Sequence, residues 1–261
     1  MQILITGKNG LLGSELMRLA KADGLDVIGT DKEDLDVSSK EQVANFFKSH
    51  NPEIIINCAA VSPKECEKDP QLAFAVNVQG VENLFFNKKK SKLIQFSSPA
   101  IFDNLSPLEN IQYKDDAGYG YKEVDIADAK SVYGKTKIAM EKILDKTDSL
   151  ILRISWIYTK SRPFGLADTT QFPVNEIGRP TYIEDIWKFL LLGIKEDLTG
   201  IYHVCGPEVM SRHEQASLSG KNIEAVCLKQ DNIRPLSISK IQPLLKKYKI
   251  ELTKWHKAVK M

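Results

Sequence analysis

Five short apolar runs separated by helix-length amphipathic segments constrain the fold of this 261-residue chain more than any other feature. Continuous apolar runs of this kind are typical of strands whose two faces are both covered by helices. With right-handed crossovers, the alternation predicts an α/β fold with a Rossmann-like, doubly wound parallel sheet. The strands are expected at 2–6, 26–30, 53–57, 92–96 and 150–154, and the helices near 11–22, 39–49, 66–86 and 131–146.

The regular alternation stops after about residue 158, where prolines and glycines become frequent. Residues 159–181 are therefore predicted to be loop with one short strand. The sequence indicates a main domain at 1–158 and a smaller C-terminal lobe at 159–261, from which segments return to the main sheet. The lobe's remaining elements are expected at 182–195 (helix), 201–204 (strand), 211–219 (helix) and 237–248 (helix).

Three glycines, Gly7, Gly10 and Gly13, lie between the first predicted strand and the first helix. Glycine at such a turn lets the backbone approach a pyrophosphate, while the helix N-terminus offers free N–H groups and the positive end of its dipole. The spacing is G-x-x-G-x-x-G rather than the G-x-G-x-x-G of ordinary dehydrogenases. Its place at a strand-to-helix junction nevertheless predicts a dinucleotide site.

Three residues after the second strand are candidates for the adenosine end of such a dinucleotide. Asp31 ends that strand, and a carboxylate there can accept hydrogen bonds from a ribose, which favours NAD. Lys32 beside it can instead offset a 2′-phosphate, so the sequence leaves NADH and NADPH open. Asp36 and Val37 are placed to meet the adenine edge, although capping of the next helix explains them equally well.

Tyr133 and Lys137 are four residues apart at the start of a predicted helix and share one of its faces. An ammonium beside a phenol lowers the phenol pKa, and such a phenol can pass a proton to a carbonyl oxygen. That acid is what ketone reduction requires while a nicotinamide delivers hydride to carbon. A hydroxyl should then lie after the fourth strand, where Ser97 and Ser98 follow each other.

Composition excludes several other classes of function. The 36 Lys and Arg residues nearly balance 34 Asp and Glu, so nucleic-acid binding is not expected. No apolar run reaches the roughly 18 residues of a membrane span. The four cysteines lack the spacing of a zinc site, so neither a metal centre nor a disulfide framework is expected. Because the first strand begins at Gln2, we expect no signal peptide and a cytoplasmic location.

Several segments together resemble the extended short-chain dehydrogenase/reductases, and within them most nearly the dTDP-4-dehydrorhamnose reductases. The resemblance covers nearly the whole chain and includes the glycine turn. Its other segments are 56–60 (INCAA), 75–80 (AVNVQG), 132–137 (VYGKTK), 152–158 (LRISWIY), 178–182 (GRPTY), 200–204 (GIYHV) and 234–237 (RPLS).

This resemblance implies NAD(P)H-dependent reduction of a nucleotide-linked 4-keto-6-deoxy sugar. Tyr133 would be the general acid, Lys137 its ribose-binding and pKa-lowering partner, and Ser98 would hold the substrate oxygen. Trp156 matches a sugar-stacking tryptophan, with a core aromatic as the alternative. A homodimer is compatible with the resemblance, although the sequence itself is silent on it. The remaining cofactor contacts would come from Gly7, Gly10, Leu11, Leu12, Ala59 and Ala60.

The chain departs from this family's pattern in the half expected to bind substrate. Pro99 and Ala100 replace an acidic and a phenolic residue, the stretch 104–120 is longer, and the segments 159–172 and 217–226 are shorter. Two alternatives therefore stay open. One is a related nucleotide-sugar epimerase or dehydratase. The other is a non-catalytic NADP-binding module resembling the regulatory subunit of methionine adenosyltransferase.

Overall fold

A computed structural model describes residues 1–102, 117–160, 162, 169–218 and 223–260 of the chain. The lengthened stretch 104–120 and the shortened segments 159–172 and 217–226 therefore lie partly outside the described residues. Within that described part, no helix has the length and apolar character needed to cross a bilayer.

The strands follow the chain from the N-terminus almost to its end. They are β1 (Gln2–Thr6), β2 (Asp26–Thr30), β3 (Ile54–Asn57), β4 (Lys92–Ser97), β5 (Leu150–Arg153), β6 (Ile157–Tyr158), β7 (Gln171–Pro173), β8 (Glu176–Gly178), β9 (Thr181–Tyr182), β10 (Gly200–His203), β11 (Met210–Ser211), β12 (Glu224–Val226) and β13 (Asn232–Ile233).

The α-helices alternate with the first five strands, and of the later ones only α7 is long. They are α1 (Leu11–Ala22), α2 (Lys40–Ser49), α3 (Pro63–Lys68), α4 (Pro70–Phe74), α5 (Gly80–Asn87), α6 (Val132–Leu144), α7 (Ile183–Lys195), α8 (Arg212–Ser217), α9 (Gln242–Lys247) and α10 (Trp255–Lys260).

The central sheet has six strands in the order β10-β5-β4-β3-β1-β2. β1 pairs in parallel with β2 and with β3, and β3 pairs in parallel with β4. This order places the turn after β1 and the loop after β3 at neighbouring positions on the carboxyl edge, where α/β sheets bind ligands. The predicted α/β fold with a Rossmann-like parallel sheet is confirmed.

The continuous helix predicted at 66–86 is wrong. The chain there forms α3, α4, a π-helical turn at Ala75–Gln79 and α5. Asp69 ends α3 and its carboxylate accepts a hydrogen bond from the Leu72 backbone N–H at 2.9 Å, which caps α4. Pro70 occupies the first position of α4, where its missing N–H leaves no bond unmade. The break therefore follows from the Asp-Pro pair.

The chain divides into two compact units: residues 1–101, 127–152 and 193–201 in the first, and 102–126, 153–192 and 202–261 in the second. In the first unit, strand residues such as Leu4, Ile55 and Leu93 pack against helix residues such as Phe47 and Met140, all nearly inaccessible to solvent. This apolar core fixes the helices that carry the polar residues described below. The division at 158/159 into a cofactor-binding domain and a substrate-binding lobe remains a prediction.

The second unit contains more short strands than the sequence predicts. Where residues 159–181 were expected to hold one strand, the described part holds β7, β8 and the start of β9. The helix expected at 237–248 begins instead with a 3-10 turn at Ser239–Ile241, and Pro243 then lies in the first turn of α9. α10 was not predicted. Its Trp255 is buried against Tyr158 and Tyr182, so tertiary packing rather than helix periodicity fixes this segment.

Candidate functional site

Two glycines, one in the turn between β1 and α1 and one in the first turn of α1, leave no room for a side chain. Gly7 has a φ of +65°, and a Cβ there would lie 2.8 Å from the Ala59 backbone nitrogen. A Cβ on Gly13 would overlap the Gly7 carbonyl oxygen. The turn after β1, the start of α1 and the loop after β3 therefore approach as closely as bare backbone allows. This close approach is what a phosphate-binding turn requires.

A cavity of about 310 Å³ opens beside this turn, entirely within the first unit. Among its lining residues are most of those that the sequence predicts for the cofactor: Gly7, Gly10, Asp31, Asp36, Val37, Ala59 and Ala60. Leu11 and Leu12 begin α1 and are not among the lining residues. Lys32 and Cys58 also line the cavity. Tyr133 and Lys137 are not among the lining residues, so the cavity contains only the part of the predicted cofactor site beside the glycine turn.

Asp31 and Asp36, two of the three carboxylates that line this cavity, already hold backbone groups in place. Asp31 accepts hydrogen bonds from the backbone N–H groups of Asn9 at 2.9 Å and Lys32 at 2.8 Å, which ties the glycine turn to the end of β2. Asp36 accepts from the backbone and hydroxyl of Ser38 at 2.9 and 2.6 Å. Asp36 does not cap α2, because Ser39 does so. Of the two explanations offered for Asp36, the helix cap is excluded.

Tyr133, Lys137 and Ser98 lie together in the first unit. Lys137 is buried, donates to the Phe96 carbonyl oxygen at 3.2 Å, and holds its ammonium 5.5 Å from the centre of the Tyr133 ring. Ser98 follows β4, accepts a bond from the Ala100 N–H at 3.2 Å, and is hydrogen-bonded to the Tyr133 hydroxyl. The three groups that the sequence predicts for proton transfer are thus brought together from β4 and α6.

Burial controls the ionisation of this group. It raises the pKa of Tyr133 to about 12, although the hydrogen bond with Ser98 opposes the rise. Burial lowers the pKa of Lys137 to about 8, opposed by nearby Cys66, Glu141 and Cys58. The phenol is therefore neutral at pH 7 and retains the proton that an acid must donate. The sequence-based expectation that Lys137 lowers the pKa of Tyr133 is not met in this structure, because desolvation of the phenol dominates.

The sequence analysis missed the buried side chain that joins this group to the loop after β3. Asn77, in the π-helical turn, accepts from the Val61 N–H at 2.8 Å and donates to the Thr136 hydroxyl at 3.1 Å. Thr136 in turn donates to the Tyr133 carbonyl oxygen at 2.7 Å. The segment AVNVQG contributed to the resemblance, but nothing local in it indicates that its Asn reaches α6.

Glycine also determines where α6 lies. A Cβ on Gly134 would overlap the Ala100 carbonyl oxygen and would lie 2.5 Å from the Ala129 Cβ. Pro99, Ala100 and Ile101 form a 3-10 turn after β4. The bare Gly134 backbone therefore packs directly on that turn and keeps Tyr133 beside Ser98.

Trp156 lies in the second unit and is partly exposed. The Arg212 guanidinium is 4.1 Å from the centre of its ring, and Gly178 approaches it so closely that a Cβ there would be 3.0 Å from its Cζ2. Arg212 also donates to the Gln215 side chain at 3.1 Å. A sugar stacking on this ring would share it with Arg212, a neighbour that the sequence did not indicate. The stacking role of Trp156 stays a prediction.

His203, the residue most easily mistaken for an acid or a metal ligand, is a core histidine. It is fully buried, with Nδ1 3.0 Å from the Ser237 carbonyl oxygen and Nε2 3.1 Å from an Arg153 guanidinium nitrogen. Burial and the neighbouring Arg153 lower its pKa to about 3. Both nitrogens of this neutral ring are engaged in hydrogen bonds, so neither is available to a metal or to a substrate proton.

Comparison with known proteins agrees with this geometry. The family model described as "RmlD substrate binding domain" matches residues 1–259. The chain is 32% identical over 237 residues to a dTDP-4-dehydrorhamnose reductase of Aggregatibacter actinomycetemcomitans, which covers 82% of this chain and 76% of that protein. It is 29% identical to the spore coat polysaccharide biosynthesis protein SpsK of Bacillus subtilis, over 83% of this chain and 77% of the other.

A solved structure extends the similarity to the whole fold. The crystal structure of a dTDP-4-dehydrorhamnose reductase from Clostridium acetobutylicum superimposes with a TM-score of 0.81 at 25% identity, covering 100% of this chain and 97% of that one. The likeness thus includes the parallel sheet, the glycine turn and the short-stranded second unit. The chain belongs to the RmlD substrate-binding domain family, whose fold is that of the extended short-chain dehydrogenase/reductases.

Proposed function

We propose that this protein catalyses the NADPH- or NADH-dependent reduction of a nucleotide-linked 4-keto-6-deoxy sugar. The observation that carries the proposal is the grouping of Ser98, Tyr133 and Lys137 in the same unit as the glycine-lined cavity. The reductases among its relatives support the reaction class. These relatives favour a reductase over the two alternatives, a nucleotide-sugar epimerase or dehydratase and a non-catalytic regulatory module.

The cavity residues account for binding of the cofactor. Gly7 and Gly10 let the pyrophosphate approach the N-terminus of α1, and Ala59 and Ala60 leave room along the loop after β3. Asp31 and Lys32 both line the cavity, and with the adenosine beside them either a ribose hydroxyl or a 2′-phosphate would find a complementary group. When bound, the reduced nicotinamide supplies the hydride for the keto carbon.

The chain's own residues manage the proton. Tyr133 is neutral at pH 7 and donates its hydroxyl proton to the sugar oxygen as negative charge develops there. Ser98 holds the same oxygen and, through its bond with Tyr133, stabilises the phenolate left behind. The Lys137 ammonium, largely protonated below pH 8, adds positive charge near the ring. Burial strengthens these interactions because little water competes.

The test begins with fluorescence titrations of the protein with NADPH and NADH. The sugar dTDP-4-keto-6-deoxy-L-mannose is then added while the near-ultraviolet absorbance of the reduced nicotinamide is followed. Oxidation of the cofactor on addition of sugar is the expected result. The cofactor that is oxidised faster, NADPH or NADH, is the one that the protein prefers. Tight cofactor binding without turnover of this or related keto sugars would contradict the reductase and favour the regulatory module. Failure to bind either cofactor would contradict the function of the cavity.

Three further assignments belong to the same proposal. The second unit would bind the nucleotide sugar, with Trp156 beside the sugar ring. The protein would work in the cytoplasm, without nucleic acid or membrane partners. A homodimer is compatible with this function, and sedimentation of the purified protein measures it.

A further inference from the structure

The first turn of α6 is held by a residue that is distant in sequence. Glu67, near the end of α3, accepts hydrogen bonds through one carboxylate oxygen from the backbone N–H of Val132 at 2.9 Å and of Tyr133 at 3.4 Å. The Ser131 side chain, the ordinary N-cap, accepts only from the Gly134 N–H, at 3.1 Å. Glu67 thus accepts hydrogen bonds from the first two backbone N–H groups of α6, for which the Ser131 cap provides no acceptor.

Apolar packing reinforces the same contact. Cys66, next to Glu67, is fully buried in a small cluster against which Val132 and Tyr133 pack. α3 therefore holds the start of α6 with an apolar residue and a charged one side by side. The carboxylate also lies at the positive end of the helix dipole, where negative charge is stabilising.

Tyr133 needs this support because of its place in the helix. It is the second residue of α6, in the turn where helices fray most readily. Reacting groups must be held within about 0.5 Å of their working positions, and a displacement of about 1 Å slows reactions by about a hundredfold. We infer that Glu67 is a positioning residue for the reduction: its carboxylate fixes the first turn of α6 and so the place of the Tyr133 hydroxyl.

This inference rests on the proposed function, with Tyr133 as the proton donor. Its test compares three variants of the full-length protein. Glu67→Ala removes the acceptor, and Glu67→Gln keeps a neutral oxygen that can accept the same bonds. Glu53→Ala is the matched control, because Glu53 also accepts a backbone N–H across a long sequence separation, from Gln2 at 3.0 Å. Glu53 precedes β3, at the opposite end of that strand from the loop that lines the cavity.

For Glu67→Ala we expect kcat to fall by about tenfold or more, with the Kd for NADPH and the KM for the sugar within about twofold of the wild type. Glu67→Gln should recover most of the lost kcat, and Glu53→Ala should keep the wild-type value. Hydrogen exchange should speed up at the amides of Val132 and Tyr133 in Glu67→Ala alone. A wild-type kcat in Glu67→Ala, measured well below its Tm, would overturn the inference, as would unchanged exchange at these amides.

Different results would overturn the proposed function and the positioning role of Glu67. A wild-type protein that binds NADPH but reduces none of the keto sugars overturns the proposed function, and the catalytic consequence of Glu67 with it. An active wild type whose Glu67→Ala variant only melts earlier overturns the positioning role and leaves the reductase intact.

Discussion

Replacing Gly134 with alanine tests whether the packing of α6 against the turn after β4 is essential to the site. At an exposed helix position this change would stabilise the protein by about 1 kcal/mol, because alanine is the better helix former. Here the new Cβ overlaps the Ala100 carbonyl oxygen and lies 2.5 Å from the Ala129 Cβ. Carbon atoms pack at about 3.5–4.0 Å, so the helix must move by about 1 Å. Such overpacking costs about 1–3 kcal/mol and exceeds the gain in propensity.

Because Tyr133 precedes Gly134 on the displaced turn, we expect the Gly134→Ala variant to lose about a hundredfold in kcat and to unfold at a lower temperature. Gly193→Ala is the control: it is also a helix glycine, but its Cβ would meet only the Leu150 Cδ2, the end of a flexible side chain, at 2.7 Å. Turnover and thermal unfolding of both variants provide the comparison. A Gly134→Ala protein with wild-type kcat and Tm would refute the argument from close packing.

Three other expected outcomes probe the same structure. Tyr133→Phe should abolish turnover yet bind NADPH with wild-type affinity, and residual turnover near the wild-type rate would exclude Tyr133 as the acid. Lys137→Met should be inactive but more stable by up to about 3 kcal/mol below pH 8, because the folded wild type buries an ammonium. That advantage should shrink between pH 8 and 10.5, where the unfolded wild type binds more protons than the folded one, and urea unfolding across this range measures it. Asp185→Ala should lower the free energy of unfolding by about 3 kcal/mol, since this buried carboxylate binds the Thr253 backbone and hydroxyl, and an unchanged urea midpoint would contradict it.

The elements that could be predicted from the sequence are those whose signals are local. The apolar runs of β1 to β5 placed these strands within one residue at each end. Gly24, with a φ of +70°, follows the end of α1, where glycine is the residue that most readily adopts this backbone. The glycine turn and the Tyr133–Lys137 pair were visible because each is encoded within a few neighbouring residues. The prediction of one helix at 66–86 was wrong because it relied on apolar periodicity. The helix cap and the proline at 69–70 were also local signals, and they indicated the break.

What escaped prediction depends on residues that meet only after folding. Glu67 and Tyr133 are 66 positions apart, and Asn77 and Thr136 are 59 apart, so no window on the sequence contains either pair. The pKa of Tyr133 is a property of burial, and the Tyr-x-x-x-Lys spacing by itself indicated the opposite direction of shift.

Cofactor binding and substrate choice in the proposed reaction differ in how far the sequence could predict them. The proposed cofactor site has bare backbone near Gly7 and Gly13, where any side chain would collide, so these positions require glycine and the site is visible in the sequence. Substrate choice would depend on side chains such as Arg212, whose contact with Trp156 joins α8 to the segment after β5. Many residue types satisfy the local requirements at position 212, and only the fold shows that its guanidinium faces the ring. A sugar that stacks on Trp156 must therefore accommodate that charge. Exchanging Arg212 for Gln should accordingly change the ranking of keto sugars by KM while leaving the Kd for NADPH unaltered, and an unchanged ranking would place the sugar elsewhere.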